Sequence, residues 1–255
     1  MLIDKNITAS IVVYNEDPIE LENVINSFLG SPFSNKIYII DNSPTNWLEE
    51  KIIGDNIEYV FSGSNIGFGR GHNSILDTIE QFSDYHLILN PDVFFQSEIL
   101  EKLIHQLEKD TQLSMVAPKV SYPSKELQYT ARKFPTIIEL LCRFLGVFKH
   151  YTDNKEYKND NLLFSFFPDF VQGSFMLFKT KDFIDLKGFD QRYFMYMEDV
   201  DICRRIDLSG KKKLYFPKVE VTHTHRKGSS KKIRLFFIHM SSIIKYFMKW
   251  SFKST

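Results

Sequence analysis

The sequence has 255 residues, with 32 Lys+Arg balanced by 32 Asp+Glu, 43% hydrophobic and 25% charged residues, and only 11 Gly and 9 Pro. Such a chain is neither disordered nor collagenous nor low-complexity, and its length predicts one large domain or two halves sharing a core. Cys142 and Cys203 are too few for a disulfide framework and lack metal-ligand spacing, which predicts a reducing compartment. No apolar run reaches the ~18 residues of a membrane-spanning helix, and Met1-Leu2-Ile3-Asp4-Lys5 leads into a strand-like segment without a signal-peptide pattern. The neutral total hides an asymmetry: residues 226–255 carry 8 Lys+Arg and no acid, so the other 225 residues hold 24 basic and 32 acidic groups. A basic tail on a mildly acidic body points to an anionic surface as the tail's partner.

Ile7–Tyr14 is a β-branched apolar run that predicts a buried strand, closed by Asn15-Glu16-Asp17-Pro18. Pro18 opens a helix over Ile19–Leu29, with Leu21, Val24, Ile25 and Phe28 at helical spacing. Lys36–Ile40 and Ile57–Phe61 predict further strands, the first of them ending at Asp41-Asn42. Phe68–Phe82 predicts a helix, and Tyr85–Leu89 a fourth strand ending at Asn90-Pro91-Asp92. Ser97–Leu107 predicts a helix capped by Ser97, and Ser114–Ala117 a fifth strand. This rhythm predicts a parallel sheet with helices on both faces. Beyond Pro118, residues 119–170 are irregular and aromatic-rich, with a helix over Ile137–Phe148 and a mobile polar loop over Asp153–Asn161. Phe170–Phe178 predicts a strand, and Val200–Leu208 a helix stopped by Gly210. Leu214–Phe216 and Val219–Thr222 predict short strands, and Lys231–Trp250 a basic amphipathic helix.

Parallel sheets bind ligands at the carboxyl ends of their strands. Asn15/Glu16, Asp41/Asn42 and Asn90/Asp92 each follow a strand end. Turns favour Asn and Asp for their own sake, so one pair alone says little, but three at one sheet edge favour a site. Asp92 is placed to hold a hard divalent cation, which takes one or two carboxylates and completes its shell with water and phosphate. Glu198, Asp199 and Asp201 open a helix, a pattern the helix dipole alone favours. They also follow the aromatic stretch Gly188–Tyr196, which predicts burial, and an acid against apolar walls is raised toward the range of a general base. His223 and His225 follow the Val219–Thr222 strand, and at most one of them is expected to enter a given site. Gly67-Phe68-Gly69-Arg70-Gly71 resembles a phosphate-cradling loop but lacks the Lys-Ser/Thr of a P-loop and the position of a dinucleotide fingerprint. Its backbone N–H groups remain available to a nucleotide.

In this order, SIVVYNE, IIDNS, GSNIGFGRGHN, LILNPDV and QGSFMLFKTKDFIDLKGFDQRYFMYMEDVDICRRIDLSG, with a late His, resemble the inverting family 2 glycosyltransferases of GT-A fold. Within them the sequence looks like the bacterial rhamnosyltransferases of O-antigen and capsule assembly, a likeness that Ala131–Pro135 (ARKFP) strengthens. The resemblance spans residues 7–225, and its long GSFML…MEDVDICRR block is specific. It implies an α/β GT-A fold with a mostly parallel central sheet. A Rossmann-like nucleotide-sugar half would cover residues 1–118, an acceptor-binding and catalytic half 119–225, and the tail 226–255. It implies that Asn15, Glu16 and Asp41 meet the base and ribose, and that Asn65, Gly67 and Asn73 close over the nucleotide. By the same resemblance, Asn90 stands where the family's D-x-D motif has its first acid, and Asp92 corresponds to its metal-binding acid. His223 matches a late histidine that approaches the metal or diphosphate. Asp199 matches the general base, with Glu198 the competing assignment. The implied donor is dTDP-β-L-rhamnose with Mg²⁺ or Mn²⁺, displaced directly with inversion. A UDP-hexose donor, or a non-catalytic nucleotide-sugar-binding scaffold, is the alternative.

In the tail, Lys231, Lys232, Arg234, Lys245 and Lys249 flank Phe236, Phe237, Ile243, Ile244, Phe247 and Trp250. That is the pattern of an interfacial helix on anionic lipid. It predicts a cytoplasmic protein, peripheral on the inner face of the cell membrane, acting on a lipid-linked saccharide. Packing of the apolar face on the body, or a homodimer contact, is the alternative. Nucleic acid is not expected as a partner, because the body is acidic and the tail's aromatics sit among aliphatics rather than on a stacking platform.

Overall fold

The computed structural model describes residues 5–158, 160–224 and 232–251. Its first half follows from the β-branched runs and their punctuation. β1 (Asn6–Val13) is buried along nearly its whole length. Asp17 caps α1 (Pro18–Leu29) through the Ile19 N–H, and Pro18 occupies the first turn, where no N–H is missed. β2 (Ser34–Asp41), β3 (Ile57–Phe61), α2 (Phe68–Asn73), α3 (Leu76–Phe82), β4 (Tyr85–Leu89), β5 (Val93–Phe94), α4 (Ile99–Lys109) and β6 (Leu113–Ser121) follow. The second half adds β7 (Leu127–Gln128), β8 (Ala131–Arg132), α5 (Ile137–Leu145), α6 (Lys149–Lys155), β9 (Phe170–Val171), β10 (Phe175–Lys179) and α7 (Thr180–Asp185). α8 (Glu198–Leu208), β11 (Lys212–His223) and α9 (Lys232–Ser251) close the described chain.

The main sheet runs β3-β2-β1-β4-β10-β6-β11-β5, with β7 beside β6, and β8 with β9 forms a separate ribbon. β3, β2, β1 and β4 are mutually parallel. β10 enters antiparallel between β4 and β6, so the second half of the chain threads into the sheet of the first. One apolar layer packs α1 and α4 on the sheet. The other gathers Ile79 of α3, Phe183 of α7, Ile202 and Ile206 of α8, and Tyr246 and Trp250 of α9.

Several elements depart from the sequence pattern for local reasons. The helix expected over Phe68–Phe82 breaks at Ser74, whose hydroxyl donates to the Gly71 carbonyl at 2.7 Å. Ser97 does not cap α4; Glu98 precedes the helix without a side-chain cap bond. β6 continues through Pro118 to Ser121, and β11 is one strand whose register slips between Phe216 and Glu220. The strand expected over Phe170–Phe178 is two, parted at Gln172-Gly173-Ser174. The Asp153–Asn161 segment begins inside α6, and Lys158 bonds Asp153 at 2.8 Å and Glu156 at 2.7 Å.

α9 divides the residues that the sequence had placed on one lipid-facing stripe. Trp250 and Tyr246 are buried, and Ile243 and Phe247 pack against the core. Lys249 bonds Asp201 at 2.6 Å and Asp190 at 2.7 Å, and Lys245 bonds the Arg192 carbonyl at 3.0 Å. Trp250, Lys249 and Lys245 therefore face protein, while Phe236, Phe237 and Ile244 stay exposed. His225, residues 226–231 and the Lys232 side chain lie outside the described residues.

Gly67 shows how tightly the two halves meet. At φ +92, a Cβ there would lie 2.2 Å from the Phe194 carbonyl oxygen. Gly67→Ala should therefore lower stability by about 3 kcal/mol or more, read as a urea midpoint. Gly63, left-handed at φ +68 with nothing within 4 Å, is the control; its change to Ala should cost about 1 kcal/mol.

Candidate active site

Because β1, β2 and β4 are neighbours, the polar residues after them share one edge, with Val13 registered against Asp41. Asn15 is exposed at φ 53 and donates its N–H to Ser43 Oγ at 2.8 Å; Glu16 beside it is half-buried. Asp41 is fully buried and accepts from the Ser43 N–H at 2.8 Å and the Tyr59 hydroxyl at 2.6 Å. Burial, reinforced by that carboxylate, pushes the Tyr59 phenol far up, so it stays a donor. Asn65 Oδ1 accepts the Gly67 N–H at 3.1 Å, and Asn42 donates to the Gly67 carbonyl at 3.2 Å.

Asn73 makes a contact within the protein. Its amide donates to the Phe189 carbonyl at 2.7 Å and accepts the Phe189 N–H at 2.9 Å, so it clamps a loop. The glycines beside it allow close packing. A Cβ on Gly69 would approach Phe189 Cβ to 2.9 Å, and one on Gly71 would approach Val12 Cγ2 to 2.6 Å. Gly71 thus seats α2 against β1, and Gly69 seats it against the loop before α8.

Asn90, Asp92, Glu198, Asp199 and His223 line one cavity of about 530 Å³. Asn15, Glu16, Asp41, Asn65, Gly67 and Asn73 do not line it; Phe68, next to Gly67, does. Asn90 is held by its N–H to the Ser174 carbonyl at 3.0 Å. Asp92 Oδ1 lies 3.2 Å from His223 Nε2. Gln128 donates its amide to the His223 carbonyl at 2.7 Å, which turns its oxygen toward Nδ1 at 3.0 Å. That pairing makes Nδ1 the donor to Gln128 and leaves Nε2 facing Asp92. Nε2 and Oδ1 stand 3.2 Å apart, close to the ~3 Å between neighbouring ligands of a small octahedral cation. Among the described residues no group of three or more His, Cys, Asp or Glu is arranged to hold a metal ion. The fit is to a cation with two protein ligands and the rest of its shell from phosphate and water.

Glu198 and Asp199 open α8 after a strained turn, with Tyr196 and Met197 both left-handed at φ 71 and 72. Asp199 Oδ1 accepts the Val200 N–H at 2.8 Å, and Oδ2 the Gly173 N–H at 3.2 Å. Glu198 is buried, and its Oε2 has no hydrogen-bond partner. Burial raises both acids. The charge of Asp199 adds to the shift of Glu198, whereas backbone amides and Arg132 oppose that of Asp199. The pair therefore keeps a proton on Glu198 and the charge on Asp199.

Sequence reasoning left Arg132, Lys133, Lys155 and Glu139 without a role, yet all four line the cavity. ARKFP carried two of these cations, but their position depends on β8 pairing with β9 across a long loop.

No protein-family model matches the sequence. Among curated proteins the chain is similar to rhamnosyltransferase WbbL of Escherichia coli K12, 31% identical over 198 residues, covering 74% of this chain and 73% of that protein. It is also similar to N-acetylglucosaminyl-diphospho-decaprenol L-rhamnosyltransferase of Mycobacterium tuberculosis, 26% identical over 224 residues, covering 82% and 73%. Among solved structures it resembles the mannosyltransferase PcManGT of Pyrobaculum calidifontis in complex with GDP-Man and Mn²⁺. The TM-score is 0.68 at 15% identity, covering 99% of this chain and 66% of that one. GalNAc-T7 with UDP, GalNAc and Mn²⁺ gives a TM-score of 0.67 at 15% identity, covering 88% of this chain and 44% of that one. At these identities the structural likeness shows the fold, and the chain spans less than two thirds of either.

The Glu198 proton predicts a pH signature. Its carboxyl is raised to about 8, so between the ordinary Glu range and that value the folded state holds a proton that the unfolded chain has released. Stability therefore falls as pH rises through this window. Glu198→Gln should melt about 3 °C or more above the wild type at pH 8.5, and the gap should close toward pH 5 in a series of thermal melts.

Proposed function

Because this chain belongs to the family 2 glycosyltransferases of GT-A fold, we propose that it transfers L-rhamnose from dTDP-β-L-rhamnose to a saccharide hydroxyl. The acceptor is carried on a lipid diphosphate, in the synthesis of bacterial surface polysaccharide. Similarity to two rhamnosyltransferases supports the sugar. The name of the mycobacterial relative, which contains a diphospho-decaprenol, supports the acceptor class. The observation that carries the reading is that Asp92 and Asp199 line the same cavity.

In this reading Asn15, Glu16 and Asn65 meet the nucleotide at the ends of β1 and β3, while Asp41, Gly67 and Asn73 hold those loops in shape. Asn90 meets the donor's sugar and diphosphate end. Asp199 accepts the proton of the acceptor hydroxyl as its oxygen bonds to the anomeric carbon. The bond from that carbon to the diphosphate oxygen breaks on the opposite face, and the electron pair leaves with the nucleotide diphosphate. The centre inverts and no covalent enzyme intermediate forms. Glu198, holding its proton, keeps a second negative charge away from the developing leaving group. Asp92 and His223 would hold a Mg²⁺ or Mn²⁺, which would supply neutralisation of the diphosphate charge, in keeping with the Mn²⁺ of the solved neighbours.

No described helix is long and apolar enough to cross a membrane. Peripheral attachment to the inner face of the membrane through the exposed side of α9 and the basic tail places the enzyme beside its lipid-linked acceptor.

Asp199→Asn should lower transfer by about 1,000-fold while dTDP affinity stays within a few-fold. Wild-type turnover in that variant removes Asp199 as the base. Asp92→Ala should weaken Mn²⁺-dependent dTDP binding by about 10-fold or more in a calorimetric titration, and an unchanged titration counts against the cation site. A panel of nucleotide sugars then tests the donor, since preferential turnover of a UDP-hexose would replace rhamnose.

A further inference from the structure

One wall of the cavity carries three cationic side chains to which the proposed transfer assigns no ligand. Arg132 ends β8, Lys133 follows it and Lys155 ends α6, and all three line the cavity that holds Asp199. This wall is built on the β8–β9 ribbon and α6, apart from the strand ends that carry Asp92 and His223. Lys133 Nζ donates to the neutral Asn154 Oδ1 at 2.8 Å, and Lys155 Nζ to the Phe134 carbonyl at 3.2 Å. These bonds orient two ammonium groups without cancelling their charge. Arg132 donates to the Tyr129 carbonyl at 2.8 Å and meets Glu156 at 3.2 Å, an acid that it shares with Lys158. Glu139 of α5 is the carboxylate that joins them in the lining.

Two further observations choose the ligand. Arg132 is close enough to Asp199 to help hold that carboxylate charged, so the wall stands beside the group that receives the acceptor hydroxyl. α5 contributes Glu139 and Leu140 to the lining and leaves Ile137 and Ile138 exposed, Ile138 at 66%. A cationic wall next to an exposed apolar helix fits an anion that carries a hydrocarbon chain.

We infer that Arg132, Lys133 and Lys155 form a second anion subsite that binds the diphosphate of the lipid-linked acceptor. The subsite is distinct from the place of the donor diphosphate at Asp92 and His223. The inference rests on the acceptor class proposed above and assigns it to named residues.

The test uses undecyl diphosphate as the probe, titrated into the full-length protein saturated with Mn²⁺ and dTDP so that the donor side is filled. The wild type should bind it, and Lys133→Met with Lys155→Met should weaken binding by about 20-fold, near 5-fold for each lysine. Undecanol, which lacks the charge, should bind wild type and variant alike. The single variants keep the test open should the double variant melt early. Equal affinity in wild type and variants, or no binding to the wild type, overturns the subsite. So does an equal loss of dTDP affinity in the variants, which would assign these lysines to the donor. Failure of the proposed function shows separately, as a wild type that binds the probe with this lysine dependence yet transfers nothing from dTDP-rhamnose to a GlcNAc-diphosphoryl lipid.

Discussion

The position of Glu198 and Asp199, the proposed catalytic pair, depends on the carboxylate of Asp201, which is fully buried two residues beyond Asp199 on α8. Its Oδ1 accepts Lys249 Nζ at 2.6 Å and Trp250 Nε1 at 2.9 Å, and its Oδ2 accepts Arg205 Nε at 2.8 Å. Arg205 also donates to the Leu186 carbonyl at 2.5 Å and the Gly188 carbonyl at 2.7 Å. A charge removed from water needs this degree of saturation. Deleting one partner of such a buried pair costs about 3–5 kcal/mol, because the other charge is left uncompensated. One carboxylate thereby ties the start of α8, the loop ahead of it and the last turn of α9 into a single rigid unit.

That anchor explains how a strained turn persists. Tyr196 and Met197 both adopt left-handed backbone conformations, each unfavourable by roughly 1–2 kcal/mol. Asp201 fixes the helix on one side of the turn. On the other, Ser242 of α9 donates to the Met195 carbonyl at 2.8 Å. Between these points the chain has no room to relax, and it presents Glu198 and Asp199 as neighbours at a helix N-terminus. The helix dipole favours negative charge there, while burial and mutual repulsion allow only one of the two carboxylates to carry it. Asp199, with two backbone amides, is the member that does.

Much of this was legible in the sequence, for a physical reason. Short apolar runs bounded by turn residues read as strands, so β1 to β4 stood out, and the polar residues at their ends marked one edge once the strands proved adjacent. The acids of α8 were legible through the aromatic stretch before them. What escaped depends on partners distant in sequence. β10 pairs with β4 across 86 residues at Phe175 and Leu89, and nothing local signals that an antiparallel strand enters there. Arg132 and Lys133 reach the cavity only through the β8–β9 pairing. Lys249 and Trp250 looked like the cation and aromatic of an interfacial helix, because their partner, Asp201, lies 48 and 49 residues upstream. The clamp that Asn73 makes on Phe189 likewise depends on a partner 116 residues away.

The division of α9 into a docked and an exposed side bears on how an acceptor would arrive. The helix spends Ser242, Tyr246, Lys249 and Trp250 on the body and leaves Phe237, at 65% exposure, with Phe236, Ile244 and Met248 facing outward. α5 does the same with Ile137 and Ile138, and Phe148 just beyond it is 74% exposed. Apolar surface in water is unfavourable by about 25 cal/mol for each Å², so two such faces are an expense unless something apolar covers them. Both helices also line the cavity, α5 through Leu140 and α9 through His239. If a bilayer covers them, as proposed, the mouth is set against the lipid surface, and a lipid-linked saccharide meets Asp199 while its hydrocarbon chain stays in the membrane. The docked side of α9 then fixes the orientation of the reaction centre relative to the lipid, and the exposed side with the basic tail supplies the attachment. On this proposal, attachment and alignment would fall to opposite sides of one helix.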